Sequence, residues 1–425
     1  MNSSYMKMLI IKVFAAALLF LTQVVPARIM SIEQFGMYSY LLSIVTVMSF
    51  VVLWGLDKSV IKLFSLRDNK DKNEISNKMF GVWVIVLINS VFFGTLISFY
   101  ISQSLETVYL SNIEILIVLC LLVISLARIS ASVTKGINKV IESEMAFNII
   151  RPAIFSMALI AFYYVNLSVS LYQVITVLLI SYLISFIVTT YISHQSVNLK
   201  FNYNLSSIPL LYKYSFAFLF VSIGSPLIAN IDLLQLGSMA QPRDIALYSV
   251  ASKIVNLVLL GLVSANLLIA PKIAPLYYDK RQNELYGLIR GNNKFVLGLT
   301  IIPIASILLF TEHILLLFGE QYGEAGQIVT LLLVGQSISV LCGPVLLVSV
   351  MLGLQKKAAI IVLSSCGAIW FLCDILIPLY GTIGAAYANI FGYGFMNMVL
   401  AYYVYKHTGL NVTMTNLIVR RVKNV

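Results

Sequence analysis

Long apolar runs, each about as long as a membrane is thick, constrain the fold of this chain more than any other feature of its sequence. A helix of about 20 apolar residues crosses the ~30 Å hydrocarbon core of a bilayer. Twelve such runs are present, and the segments between them are short. The sequence therefore predicts an all-α polytopic membrane protein with about 12 transmembrane helices. The predicted spans are 8–27, 36–56, 80–100, 113–133, 150–166, 173–193, 214–237, 245–270, 294–311, 327–350, 358–378 and 384–405.

Composition excludes several classes of function. The chain is 60% hydrophobic and only 11% charged, whereas soluble domains are about 45–50% apolar and about a quarter charged. A soluble enzyme, a disordered chain and a nucleic-acid binder are all excluded. The four cysteines lie in apolar runs without metal-ligand spacing, and no phosphate-binding G-x-x-x-x-G-K-[ST] motif is present. We expect no cofactor, no metal and no enzymatic activity.

The distribution of basic residues predicts the orientation. With the N-terminus placed inside, 24 of the 28 basic residues fall on the cytoplasmic side, and only Arg28 and Arg243 fall in outer loops. Cytoplasmic segments of membrane proteins carry an excess of Lys and Arg. The net charge of +11 thus reflects topology and contact with anionic lipid. Both termini are predicted to be cytoplasmic.

Weak internal similarity indicates two halves. Tyr38-Ser39 and Tyr248-Ser249 each follow an outer loop, and the related segments 136–139 and 353–356 each follow a later span. Internal repeats are typical of transporters, whose substrate site lies at the repeat interface. We predict an N-terminal six-helix lobe at 1–200 and a C-terminal six-helix lobe at 201–425.

Charges inside the spans are functional candidates, because each costs about 2.5–3.5 kcal/mol to insert. Lys253 and Asn256 lie on one face of the eighth span, and Asp232 lies near the outer end of the seventh. One interpretation is a cavity in which Lys253 meets a phosphate, Asn256 meets a sugar, and Asp232 gates or couples transport. The other is an Asp232–Lys253 ion pair that holds the lobe together.

Four further basic residues are candidates for binding an anionic head group. Arg28, near the outer end of the first lobe, either binds a phosphate through two parallel hydrogen bonds of its guanidinium group or faces lipid headgroups. Lys12 either lines the cavity or extends to the interface. Arg128 and Arg151 form either the cytoplasmic mouth of a cavity or ordinary markers of the inner side.

An acidic residue and two polar stripes complete the candidates. Asp374 is either a coupling site or an interfacial acid. Tyrosine and asparagine can stack on and hydrogen-bond sugar rings, although such residues also join helices. The sugar-lining candidates on the sixth and twelfth spans are Tyr182, Asn389, Tyr393 and Asn397.

Two segments resemble a known family. Ala27-Arg28 with residues 33–38, and Gly55-Leu56 followed by Ser59, are similar to motifs of Wzx-type flippases. These are O-antigen or polysaccharide repeat-unit flippases of the multidrug/oligosaccharidyl-lipid/polysaccharide exporter superfamily. The resemblance implies a V-shaped pair of lobes in a bacterial inner membrane. It further implies a cavity that moves undecaprenyl-pyrophosphate-linked oligosaccharide from the cytoplasmic to the periplasmic leaflet by alternating access.

The same resemblance implies partners, and it leaves rival functions open. Membrane lipids, a coupling ion (H⁺ or Na⁺) and polysaccharide polymerase machinery are the partners expected, and nucleic acid is not one. One rival is a multidrug antiporter of the same superfamily, for which a strongly acidic cavity would be diagnostic. The other is a membrane-bound polysaccharide polymerase or ligase, which would need a larger outer loop than this sequence has.

Overall fold

The computed structural model describes residues 3–65, 72–104, 113–166, 169–197 and 208–417. Within these ranges the chain is helical and contains no strand. Helices satisfy every backbone hydrogen bond internally, which is what an apolar solvent requires. The chain divides into two compact units, residues 1–227 and 228–425. The prediction of lobes at 1–200 and 201–425 stays a prediction.

Nine helices are present in the described part of the first unit. The fifth of them lies at its centre and packs against α2, α3, α4 and α8. A π-helical turn, Ala146–Ile150, separates α6 from α7. The helices are α1 (Ser3–Ile29), α2 (Ile32–Leu53), α3 (Leu56–Ser65), α4 (Lys72–Ser104), α5 (Ile113–Gly136), α6 (Val140–Met145), α7 (Arg151–Asn166), α8 (Leu171–Val197) and α9 (Ile208–Ile228), whose last residue already falls in the second unit.

Gly55, which lies between α2 and α3, allows the chain at this point to approach α9 closely. Gly55 has φ +76°, and a Cβ at this position would collide with the backbone of α9 at Ser215. Positive φ is readily available only to glycine. The hydroxyls of Ser59 and Ser215 lie 2.7 Å apart beside this approach, so a polar contact joins α3 to α9.

The second unit is built around its last long helix. That helix, α17, packs against α14, α15 and α16. Short breaks at Asn256 and Gly343 interrupt otherwise continuous apolar stretches. The helices are α10 (Ile231–Met239), α11 (Pro242–Val255), α12 (Leu257–Tyr278), α13 (Gln282–Phe318), α14 (Gly326–Cys342), α15 (Val345–Met351), α16 (Gln355–Tyr380) and α17 (Thr382–Thr408).

The predicted spans correspond to these helices. Nine segments of the described chain are long and apolar enough to cross a membrane, and a tenth is formed if the helices on either side of Asn230 are one span. The apolar part of α1, Phe14–Ile29, is shorter than these segments. The last long helix, α17, has 27 residues, which is enough length to cross a membrane. The prediction of an all-α multi-pass protein with about 12 spans is confirmed.

Candidate functional site

Two arginines of the first unit lie against aromatic rings. The guanidinium carbon of Arg128 lies 4.4 Å from the ring centre of Phe50 and 5.7 Å from that of Phe147. The guanidinium carbon of Arg151 lies 4.5 Å from the ring centre of Tyr182 and 5.2 Å from that of Phe147. A cation within about 6 Å of a ring face is attracted by the ring quadrupole. These five residues form what we call the arginine site.

No carboxylate contacts the guanidinium groups of the arginine site within the ranges that the structure describes. Neither arginine has an ion-pair partner there, and the buried Nε of Arg128 has no hydrogen-bond acceptor. Arg151 donates its Nε hydrogen to the backbone carbonyl of Phe147 at 2.9 Å. The site therefore keeps two positive charges and free donors, which suits an anionic ligand.

Nearby acids are occupied by other groups. Glu144 pairs with Lys135 at 2.7 Å and accepts a hydrogen bond from Asn148 at 2.8 Å. Asp57 is buried and accepts a hydrogen bond from Ser222 at 2.7 Å. Both carboxylates thus have other hydrogen-bond or ion-pair partners, while Asp57 is close enough to attract the Arg128 guanidinium electrostatically.

The π-turn shapes the arginine site. The backbone N–H of Arg151 donates to the carbonyl of Ala146, five residues earlier. Ser185 on α8 also donates to this carbonyl, at 3.3 Å. π-Turns inside helices are rare and are frequent at functional sites. Sequence reasoning missed the turn, as well as Phe50 and Phe147, because they depend on how three helices pack.

A buried carboxylate lies in the second unit. Asp232 accepts hydrogen bonds from the Tyr248 hydroxyl at 2.5 Å, from the Asn389 amide at 2.7 Å and from the backbone N–H of Leu233 at 2.8 Å. Within the described residues no direct ion pair joins Asp232 to Lys253, and the structural role of the two charges stays a prediction. Three neutral donors satisfy the carboxylate instead.

A small polar pocket opens beside this carboxylate. We call it the Asp232 pocket; its polar lining includes Asp232, Asn256, Gln336, Asn389 and Tyr393. The side-chain carbonyl of Gln336 is buried there without a hydrogen-bond donor. An unpaired amide oxygen beside a carboxylate is suited to a small cation or a water. The sequence analysis missed Gln336, since a neutral residue in a span carries no distinctive signal.

The remaining basic candidates lie apart from these contacts. Lys253 is half-buried on α11 and has neither an ion pair nor a hydrogen bond to any described residue. Arg28 is exposed in the last turn of α1. Lys12 lies on α1, but its side chain falls outside the described part of the structure.

The other polar candidates join helices. Asn397 donates to the Ser339 hydroxyl at 3.0 Å and to the Tyr393 carbonyl at 2.9 Å, which links α17 to α14. Asp374 is exposed on α16 and accepts a hydrogen bond from Gln235 at 2.7 Å. Among the described residues no group of three or more His, Cys, Asp or Glu is positioned to hold a metal.

Comparison with known proteins identifies relatives along nearly the whole chain. A family model described as polysaccharide biosynthesis protein matches residues 5–274. The capsular polysaccharide biosynthesis protein CapF of Staphylococcus aureus is 25% identical over 418 residues, which cover 96% of this chain and 99% of CapF.

Solved structures share the fold at low sequence identity. The lipid II flippase MurJ in its inward closed conformation matches with a TM-score of 0.74 and 15% identity, over 96% of this chain and 90% of MurJ. An inward-facing multidrug resistance MATE family transporter of the MOP superfamily matches with a TM-score of 0.69 and 13% identity, over 94% and 98%. The chain therefore has the fold of these membrane transporters.

Proposed function

The chain belongs to the polysaccharide biosynthesis protein family, and from this membership we propose that it flips lipid-linked oligosaccharide across a bacterial inner membrane. The cargo is an oligosaccharide repeat unit on undecaprenyl pyrophosphate, moved from the cytoplasmic to the periplasmic leaflet for O-antigen-type or capsule-type polysaccharide. Two observations support this cargo class: the chain belongs to the polysaccharide biosynthesis protein family, and it shares its fold with a lipid II flippase.

The arginine site is the observation that carries the proposal. The cargo holds a diphosphate, which must cross ~30 Å of hydrocarbon. Guanidinium forks bind phosphate oxygens with two parallel hydrogen bonds. Arg128 and Arg151 offer such donors, and no carboxylate of the described chain is in contact with them. Arg28, Lys12 and Lys253 are further candidates along the path of the head group.

The Asp232 pocket supports a second role, which is coupling to a cation. A flippase that returns empty must reset, and a proton or Na⁺ gradient can drive that step. Asp232 supplies a carboxylate oxygen, and Gln336 supplies an unpaired carbonyl oxygen. Asp374 remains a second candidate for coupling. The sugar-lining candidates of this unit are Asn256, Asn389, Tyr393 and Asn397, while Tyr182 lies in the arginine site.

The rival functions fit the arginine site less well. A multidrug antiporter that takes up cations has no use for two arginines that lie beside aromatic rings without a carboxylate in contact with them. A polymerase or ligase would use the diphosphate as a leaving group, and it would need the site at the outer face. The predicted topology instead puts Arg128 and Arg151 near the cytoplasmic ends of their spans, where the cargo would enter.

Complementation tests the proposal. Cells that lack the protein receive the wild type, Arg128→Ala, Arg151→Ala or the control Arg243→Ala. Arg243 is an exposed arginine whose partner is Glu324 at 2.8 Å. We expect surface polysaccharide to return with the wild type and the control, and to stay low with the other two at equal protein levels. Full export by both variants would contradict the role of the arginine site.

A further inference from the structure

The ring of Phe147 lies close to both guanidinium groups of the arginine site. The distances from its centre are 5.7 Å to the carbon of Arg128 and 5.2 Å to that of Arg151. Two like charges repel strongly where the dielectric constant is low. The face of an aromatic ring carries negative potential, which attracts a nearby cation. Phe147 therefore reduces the free-energy cost of keeping the two arginines together.

The backbone holds this ring in place through an unusual set of hydrogen bonds. The carbonyl of Ala146 accepts from the backbone of Arg151 and from the hydroxyl of Ser185. The next carbonyl, that of Phe147, accepts from the Nε of Arg151. The π-turn and the arginine side chain thus stabilise each other. Phe147 and Arg151 are fixed as one element rather than as two independent side chains.

We propose that Phe147 is a positioning residue, whose ring face holds Arg128 and Arg151 together so that one diphosphate group can bind both. This inference rests on the proposed function, because it assigns the diphosphate of the cargo to this site. The ring itself does not touch the ligand. It acts by orienting two guanidinium groups that would otherwise separate or recruit a carboxylate.

A series of fluorinated phenylalanines tests the role of the ring face. Introducing one, two and three fluorine atoms at Phe147 weakens the negative potential of the face stepwise while changing the shape of the side chain little. The measurement is calorimetric binding of inorganic pyrophosphate to the purified full-length protein in lipid nanodiscs. We expect affinity to fall at each step, by about tenfold over the series.

Conventional variants supply the controls. Phe147→Leu removes the ring face and is expected to lose about tenfold in affinity, whereas Phe147→Trp keeps a ring face and is expected to stay within about twofold of the wild type. Phe186→Leu is the matched control. Phe186 is also half-buried, and its ring packs against Trp83 at 6.4 Å with no guanidinium group on it. Its substitution should leave pyrophosphate affinity unchanged.

The outcomes separate this inference from the proposed function. If the wild type binds no pyrophosphate, or if Arg151→Ala binds it normally, the arginine site is not the diphosphate site. This inference then fails together with the role of the arginine site, while the flippase function is still judged by polysaccharide export. If Arg151→Ala weakens binding but affinity is constant across the fluorinated series, the role of Phe147 alone is wrong. The series does not depend on the stability of Phe147→Leu, since the fluorinated side chains keep the ring.

Discussion

At the scale of single residues, the central question is why apolar helices retain two arginines with no acidic partner among the described residues. Such charges are expensive inside a membrane, and the contacts with Phe50, Phe147 and Tyr182 offset only part of that cost. An anionic cargo that arrives and leaves would supply the rest. The lack of a partner is clearest for Arg128, because its Nε is buried without a hydrogen-bond acceptor.

Replacing Arg128 tests this account. Arg128→Lys keeps the charge but loses the planar fork, so we expect export activity to fall by about tenfold or more in Arg128→Ala and to recover only partly in Arg128→Lys. Losing one hydrogen bond to a charged group costs about 1.5–3 kcal/mol. Export rate at matched protein level is the measurement. Full recovery with lysine would mean that charge alone matters and that the fork does not.

Asp232 gives a second prediction at this scale. Asp232→Asn removes the negative charge but keeps an oxygen that can accept the hydrogen bonds of Tyr248 and Asn389. Transport in proteoliposomes should stop responding to an imposed H⁺ or Na⁺ gradient, while the protein stays folded. Asp374→Asn, at an exposed site, is the comparison. A gradient response lost in Asp374→Asn but retained in Asp232→Asn would assign coupling to the other acid.

Helical periodicity predicts which residues share one face of a helix, but it does not predict which side chains of other helices they contact. The spacing of Asn389 and Tyr393 puts both on one face of α17, and both line the Asp232 pocket. Asp232, in contrast, makes no direct ion pair with Lys253 in the described chain and accepts hydrogen bonds from Tyr248 and Asn389 instead. Opposite charges on adjacent spans suggest a pair in the sequence. Only the packing of α10, α11 and α17 decides which donors come within 3 Å.

At the scale of elements, the segment that follows α17 is held by a buried amide. Asn293 on α13 donates to the carbonyls of Val412 and Thr413 at 3.0 and 3.1 Å, and to the side-chain oxygen of Asn416 at 3.3 Å. Gly343 has φ +74°, and a Cβ there would meet the carbonyl of Val412. The segment therefore docks on the N-terminal third of α13 and on the break after α14.

Removing the amide of Asn293 should loosen that docking. Asn293→Ala leaves buried carbonyls without donors, at a cost of about 1–3 kcal/mol. We expect a lower Tm in detergent. Gln195→Ala is the control, because the exposed amide of Gln195 donates its hydrogen bond to the Tyr191 hydroxyl at 2.7 Å, outside this segment. Equal melting temperatures for Asn293→Ala and the wild type would show that the segment adds no stability.

Elements differ in how well the sequence predicts them. The spans follow from apolar length alone, because a membrane permits few alternatives to a helix. The sequence does not predict the π-turn, because residues 146–150 have ordinary apolar and polar side chains. Ser185 donates to the carbonyl of Ala146 only when α8 packs beside the turn, whereas the Nε of Arg151 donates to the carbonyl of Phe147 within the same stretch of chain.

At the scale of the whole molecule, the distribution of basic residues predicts the topology. Reporter fusions at the two termini and in the turn between α10 and α11, next to Arg243, measure it. We expect both termini to report a cytoplasmic location and this turn to report the outer side, as the excess of inner Lys and Arg requires. Termini on opposite sides would mean an odd number of spans, which would contradict the twelve predicted.

The leaflet in which the lipid-linked oligosaccharide resides tests the central claim most directly. In cells depleted of the protein, the labelled intermediate is exposed to an impermeant reagent that modifies sugars on the outer face. We predict that the intermediate is protected until wild-type protein is restored, and that Arg128→Ala leaves it protected. An intermediate that is modified as readily without the protein as with it would contradict the assignment as a flippase.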